Sequence, residues 1–352
     1  MPPQRRQVSI PWSAPSTHPR IYPFFLPFRG CVTRCLFCAQ DIVTGQNTSH
    51  APLKPLLDQL WLGLEMAVKM NGPLELAFYG GTFTALSDLE FASCLDLVVA
   101  AYAKGLILAA RCSTRPDTLN GSRLSLMRKA HFTTIELGIQ SFNQESLDIC
   151  KRAYDRKLAL SACQMVKESG FKLGLQLMPG MPKNTPQIFL ADVARTLKNG
   201  ADFLRFYPCL VLANTGLAKL WAGQNYQPWD LDTTINTLAQ GLNLAHQKNV
   251  SVIRIGLPPQ MDLTQVLAGP WCPDLGSRVQ AWALFLAISK IIGSPQEKTK
   301  NLTSMTLNLP KFMQGFFWGH KAELLKPYAE LGLTESRVTF GAASCPTLFF
   351  EG

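Results

Sequence analysis

The 352-residue chain predicts an α/β fold, a parallel sheet covered by helices and followed by a smaller appendage. Three observations carry that reading. Strand-length apolar runs alternate with amphipathic helical stretches, about six times between Ile21 and Gly256. Unusual residues fall at the ends of successive predicted strands, where parallel sheets place their chemistry. Beyond Gly256 the rhythm lapses into proline-containing turns. Periodicity alone leaves two architectures open, a doubly wound sheet and a full or partial barrel.

The elements follow in order. Ile21 to Leu26 is a short apolar strand that feeds a cysteine-bearing loop. Leu53 to Met70 has helical spacing, and Leu74 to Tyr79 is the next strand. Ser87-Asp88-Leu89-Glu90 is a capping box that starts a helix ending near Lys104. Leu106 to Ala110 predicts a strand and Gly121 to Ala130 a helix. Thr133 to Gly138 is a strand, with helices from Gln144 and from Arg156. Lys172 to Met178 is a strand, and Thr185-Pro186 opens a helix with proline in its first turn. Phe203 to Tyr207 is a strand, a helix runs from an Asp232 N-cap to Gln247, and Val250 to Ile255 adds a further strand. The chain thus divides into an N-terminal extension (1–20), a core (21–256) and a C-terminal α+β appendage (257–352). The appendage holds a helix from Ser277 to Ile292, a polar stretch from Ser294 to Thr306, and one helix with one or two strands between Phe316 and Phe350.

Bulk composition narrows the class. With 47% hydrophobic and 16% charged residues, disorder over most of the length is excluded. The formal charge of +10 favours anionic partners, nucleic acid the obvious large one, although many soluble proteins are equally basic. No apolar stretch follows the Met1-Pro2-Pro3 start, and the run Leu95 to Ala110 is interrupted by Asp96 and Lys104. A cytoplasmic protein with no membrane partner is the expectation. In that compartment the ten cysteines stay reduced. Seven of them (Cys94, Cys112, Cys150, Cys163, Cys209, Cys272, Cys345) are scattered and read as small core residues, with Cys209 and Cys272 nearest to predicted strand ends.

The remaining three form the sharpest signal. Cys31, Cys35 and Cys38 stand in a Cys-x3-Cys-x2-Cys loop that suits three corners of a cubane [4Fe–4S] cluster, leaving one iron for another ligand. A zinc site would need a second Cys or His pair, and His50, the next histidine, sits in a polar segment without ligand spacing. Four further signals fall at strand ends: Gly80-Gly81-Thr82, Ser113 to Asp117, Gln140-Ser141 and Gly180 to Pro182.

Together with Pro27-Phe28-Arg29-Gly30-Cys31, Phe78-Tyr79-Gly80-Gly81-Thr82-Phe83-Thr84, Ser113-Thr114-Arg115-Pro116-Asp117, Glu136-Leu137-Gly138-Ile139-Gln140-Ser141 and Met178-Pro179-Gly180-Met181-Pro182, these phrases resemble the radical S-adenosylmethionine (SAM) superfamily. Within it the chain is similar to the catalytic subunit of Elongator, which modifies wobble uridines of tRNA; the resemblance spans about Ile21 to Gly256. It implies a partial (β/α)6 barrel. It further implies that Cys31, Cys35 and Cys38 hold the cluster, with Phe37 as the accompanying aromatic, and that SAM chelates the open iron. An electron from a carrier such as flavodoxin or ferredoxin would cleave SAM to a 5′-deoxyadenosyl radical, which abstracts hydrogen from substrate. Gly80, Gly81 and Thr82 would hold the methionine amino group. Gln140, Ser141 and Arg152 would contact SAM, Arg152 at its carboxylate, unless Arg152 is a solvated helix end beside Lys151. Ser113 or Arg115 would meet the ribose or line the substrate pocket, and Gln176 stands where relatives often carry an acidic residue or histidine. Glu136 reads as a buried paired carboxylate, and Tyr207 as either substrate-facing or core.

Two departures separate the chain from that subgroup. Arg152-Ala153-Tyr154 replaces an Arg-Gly-His phrase, and the roughly one hundred residues after the barrel are too few for the subgroup's acetyltransferase domain. The leading expectation is RNA modification, with tRNA as substrate and Arg5, Arg6, Arg29, Arg34, Lys298 and Lys300 as candidate phosphate contacts. The competing ones are chemistry on a small molecule such as a tetrapyrrole or cofactor precursor, and a non-catalytic iron–sulfur protein.

Overall fold

The computed structural model describes all residues except 1–4, 14–18, 47, 49, 258–260, 294–303 and 352, and only the backbone of Arg5, Ser304 and Glu351. Lys298 and Lys300 therefore lie outside the described residues, as does the side chain of Arg5. Thirteen strands are named here in chain order. Strand β1 (Arg5–Ser9) belongs to a second sheet considered below. Strands β2 (Ile21–Phe25), β3 (Leu74–Tyr79), β4 (Ile107–Thr114), β5 (Phe132–Gln140), β6 (Lys172–Leu177) and β7 (Phe203–Phe206) pair in sequence order, every pairing parallel. With β9 (Ser251–Ile255), which follows the short β8 (Val211–Leu212), they make a seven-stranded curled half-barrel. The parallel barrel alternative is thus the one adopted.

The two faces of this sheet differ in chemistry because side chains alternate with period two. One face is apolar: Phe78, Cys112 and Ile135 stand in register across three strands, as do Leu137 and Leu175 across the next two, all buried. The other face carries Glu75, Tyr79, Arg111, Ser113, Glu136, Gln140, Gln176 and Arg205.

Helices begin where the caps predict. Ser87 and Glu90 form a full capping box on the helix Asp88–Ala103, and Thr185 caps Pro186–Lys198. One cap is corrected: Asp230, not Asp232, accepts the Thr233 N–H at the start of Leu231–Gln247. Asp232 sits one turn position inside, where its charge still complements the helix dipole. Two strands also run further than apolarity suggested. Strand β4 includes Ser113, and β5 includes Gln140, because parallel pairing of Ser113 with Glu136 and of Gln140 with Leu177 continues the ladder past the apolar run.

Contacts divide the chain into two compact units. One comprises Thr17–Trp229 and Gly256–Pro270; the other comprises Met1–Ser16, Asp230–Ile255 and Trp271–Gly352. The first also holds a small antiparallel ribbon of β8 with β10 (Val266–Ala268). In the second, β11 (Ser304–Pro310), β12 (Val338–Gly341), β13 (Thr347–Glu351) and β1 form a four-stranded sheet in the order β1-β13-β11-β12. The first residues of the chain therefore complete a sheet with the last ones, a pairing that no local signal announces. The core of this unit contains Leu284, Ile288, Leu307, Leu309, Phe317, Tyr328, Leu348 and Phe350. The helix Leu275–Ile292 is long and apolar enough to cross a membrane by length and composition, and Leu284 and Ile288 on it belong to that core.

Candidate functional site

The cysteine loop leaves β2 and is stapled at once to the turn after β3. Leu26 N–H donates to Tyr79 O (2.7 Å), Phe28 N–H to Gly80 O (3.0 Å) and Thr82 N–H to Arg29 O (2.8 Å). The backbones approach so closely that a Cβ on Gly30 would collide with Thr82 O, and one on Gly81 with Arg29 O. Gly30 also has φ +71°, in the left-handed region that favours glycine. The two glycine signals in the sequence therefore belong to one interlocked surface. From it the Thr82 hydroxyl reaches to 3.1 Å from Cys31 Sγ.

The middle of the loop is anchored from the other side. Leu36 N–H donates to Cys150 O (3.1 Å), and Leu36 O accepts from Leu217 N–H (2.9 Å). Leu36 and Phe37 pack against a cluster that includes Cys150, Met181, Cys209, Leu217 and Tyr226. Arg152 Nη1 donates to Cys35 Sγ at 3.1 Å. The same guanidinium donates to Tyr154 Oη through Nε (3.0 Å) and Nη2 (2.8 Å), and to the Gly138 carbonyl. Arg152 is buried, so the solvated reading fails; its neighbour Lys151 is the exposed cation. Tyr154 Oη in turn donates toward the carbonyls of β5, nearest to Ile139 O at 2.8 Å. A tyrosine in place of the subgroup's histidine thus keeps the arginine in position.

The three thiols lie near enough for the neighbours of Cys38 to oppose its ionisation. Burial, and then the Cys35 and Cys31 thiols, push the Cys38 thiol up to about 12. Cys31 is also raised, chiefly by burial, against the pull of the Thr82 hydroxyl. Such a trio ionises together only around a strongly positive group. Among the described residues no three His, Cys, Asp or Glu side chains converge on a single metal ion. Three thiols on one short loop, two of them felt at Cys38, are the donor set that an iron–sulfur cluster takes.

Other predicted residues gather on the same rim. Arg115 holds Asp117 through two bonds (2.9 and 2.7 Å) and donates to Thr33 Oγ1 (3.1 Å), tying the end of β4 to the cysteine loop. Gln140, at φ +68°, accepts from Gln176 Nε2 at 3.1 Å, so these two amides lie side by side. Ser113 is half-buried on the same face of the sheet, in register with Glu136. Ser141 points elsewhere: it is fully buried, donates to Asp192 Oδ2 (2.5 Å) and accepts from Asn143 N–H (3.0 Å). Of the basic candidates, Arg29 is 8% exposed and paired with Glu90 at 2.6 Å, which removes it from any open cationic surface. Arg34 is exposed, with its guanidinium over the Phe28 ring.

Below the rim runs a charged network that sequence reading found only in part. Glu136 is indeed buried and paired. Its carboxylate meets Arg205 Nε at 2.6 Å and Arg111 Nη1 at 3.2 Å, and accepts from Tyr79 Oη at 2.7 Å. Arg111 pairs in addition with Glu75 (2.5 Å), and Arg205 donates to Tyr207 Oη (3.1 Å). Burial and the Glu136 charge hold the Tyr79 phenol in its protonated form, well above its usual range. Two carboxylates balance two guanidiniums, the condition for keeping charge inside a fold. Glu75, Arg111 and Arg205 were missed, although polar residues at period two in apolar strands were the available signal.

The model of the radical SAM superfamily matches residues 25–194, and that of the Radical_SAM C-terminal domain matches 201–282. A tRNA uridine(34) acetyltransferase of Methanocaldococcus jannaschii is 30% identical over 200 residues, half of this chain and 37% of its own length. One from Dehalococcoides mccartyi is 24% identical over 272 residues, 67% of this chain and 56% of its own. The chain thus spans only about a third to a half of these relatives. Archaeal Elp3 from Methanocaldococcus infernus, solved with an N-terminal deletion, shares the fold over 75% of this chain and 62% of its own, with a TM-score of 0.55 and 22% identity.

Proposed function

Because this chain belongs to the radical SAM superfamily, we propose that it is an enzyme that holds a [4Fe–4S] cluster through Cys31, Cys35 and Cys38, binds SAM beside it, and modifies RNA, with tRNA as the substrate. One observation carries the site: the cysteine loop is clamped between the Gly80–Thr82 turn and Arg152, so three thiols are held in place before any ligand arrives. When bound, the cluster and SAM supply a reductive cleavage that yields the 5′-deoxyadenosyl radical. The chain's own residues do the rest. Thr82 and Arg152 offer hydrogen-bond partners to the Cys31 and Cys35 sulfurs and orient them toward the site. Gly80 and Gly81, both half-buried, form the turn where the amino end of SAM would lie, and Ser113, Gln140 and Gln176 present polar groups on one sheet face. Arg115 fixes the loop rather than reaching freely for a ligand, since Asp117 and Thr33 occupy it. Ser141 acts at one remove, through Asp192 and the turn after β5.

The tRNA substrate rests on the named activity of the relatives and on the +10 charge. A cytoplasmic location follows from the substrate. The test is anaerobic reconstitution with dithionite and SAM. Release of 5′-deoxyadenosine is expected from the intact protein and none from Cys35→Ala. Unmodified tRNA that gains no altered nucleoside, while a tetrapyrrole or cofactor precursor is consumed, would replace RNA by a small molecule as substrate.

A further inference from the structure

Three tyrosines of the half-barrel unit spend their phenol hydrogens inside the protein. Tyr79 Oη donates to Glu136, Tyr154 Oη to Ile139 O, and Tyr226 Oη to Gly180 O. Tyr207 does not. Its oxygen accepts from Arg205 Nη1 at 3.1 Å, and among the described residues its own hydrogen meets no acceptor. Its place is that of a site residue. Tyr207 follows β7 directly, and its N–H donates to Leu177 O at 3.0 Å, which prolongs the pairing of β7 with β6. Standing two residues beyond Arg205, it lies on the sheet face of Arg205, Gln176 and Glu136. Phe206 and Pro208 on either side are buried, whereas Tyr207 is only half-buried.

Arg205 makes the free hydrogen a strong one. Its guanidinium is fixed by Glu136 at Nε (2.6 Å) and by Tyr79 at Nη2 (2.9 Å), which leaves Nη1 for Tyr207. A cationic donor on the phenol oxygen polarises the O–H bond and strengthens it as a donor. The charge beneath is already cancelled, since Glu75 and Glu136 face Arg111 and Arg205. The network below the rim thus supports a neutral donor and no surplus positive charge. That suits an uncharged oxygen acceptor, a carbonyl of a nucleobase, better than a phosphate, which proteins meet chiefly with cations.

We propose that Tyr207 contacts the substrate and donates its O–H to a carbonyl oxygen of the base that is modified. The assignment rests on the RNA reading of the site. Such a donor also selects, because a base without the acceptor leaves the polarised hydrogen unpaired.

The test measures binding of unmodified tRNA to cluster-loaded protein with SAM present, by fluorescence anisotropy. Tyr207→Phe removes the hydroxyl and keeps the ring, and should raise Kd about fivefold. The slope of log Kd against log salt should stay that of the parent, because no phosphate contact is lost. Affinity for SAM and the melting temperature should stay as they are, and Tyr207→Leu should bind no better than Tyr207→Phe. Tyr102→Phe, on the outer helix Asp88–Ala103, should bind like the parent. Parental tRNA affinity in Tyr207→Phe overturns the assignment alone. So does a loss confined to Tyr207→Leu, which would make the ring the contact, or an equal loss of SAM affinity, which would turn the hydroxyl toward the cofactor. An intact protein that releases 5′-deoxyadenosine yet binds no tRNA overturns the RNA reading and this assignment together.

Discussion

The two compact units solve burial in opposite ways. The half-barrel unit keeps Glu75, Arg111, Glu136, Arg152 and Arg205 on or beside one sheet face, with three thiols at its rim. The unit built from Met1–Ser16, Asp230–Ile255 and Trp271–Gly352 fills its core with Leu307, Leu309, Phe317, Leu348 and Phe350. Buried charge is costly and is seldom the stablest solution, whereas an apolar core of equal volume is. The half-barrel's polar interior is therefore what a site, rather than a scaffold, would retain.

The comparison breaks most sharply at Glu136. Glu136→Gln leaves Arg111 sharing Glu75 alone and Arg205 with no carboxylate, and should cost about 3–5 kcal/mol in urea unfolding followed by far-UV dichroism. It should also abolish SAM cleavage, because Tyr79 and Arg205 lose the group that orients them below the rim. In the other unit Leu307→Ala should cost about 3 kcal/mol by cavity formation. Per mole of folded protein, its 5′-deoxyadenosine release should match the parent. Equal damage to cleavage by both substitutions would remove the distinction between site and scaffold.

These two substitutions also mark what could be read from the chain. Core strands, the capping box at Ser87 and the cysteine loop were legible because each is local: an apolar run, a four-residue motif, a spacing of three and two. Glu136 was read as paired, yet Arg205 lies 69 residues away and Arg111 25, and only the pairing of strands within the sheet brings them together. The pairing of β1 with β13 joins the two ends of the chain and leaves no sequence signature at either. Arg152 was singled out by its spacing from Gln140, but its contact with Cys35 spans 117 residues and depends on Tyr154, which looked like a defect. The helix start at Asp230 was misplaced because Asp230 and Asp232 are both good first-turn residues. Local chemistry was visible; partners across the sheet were not.

The smallest expected effect is one of sign. Burial raises the Asp192 carboxyl of the half-barrel unit to about 6, despite the hydrogen bonds from Ser141 and Phe142 N–H. Its folded form then binds a proton that the unfolded chain releases, so its contribution favours folding at pH below 4 and fades as pH rises to 6. His246 in the other unit, stacked on Trp12, is lowered by burial to about 4. There the unfolded chain binds the proton first, so the neutral ring's contribution is whole above pH 6.5 and is lost as pH falls toward 4. Stability measured by urea at pH 4, 5, 6 and 7 should therefore gain a steeper rise with pH in Asp192→Asn and a flatter one in His246→Gln. Parallel curves for both variants and the parent would show that neither group changes its proton affinity on folding.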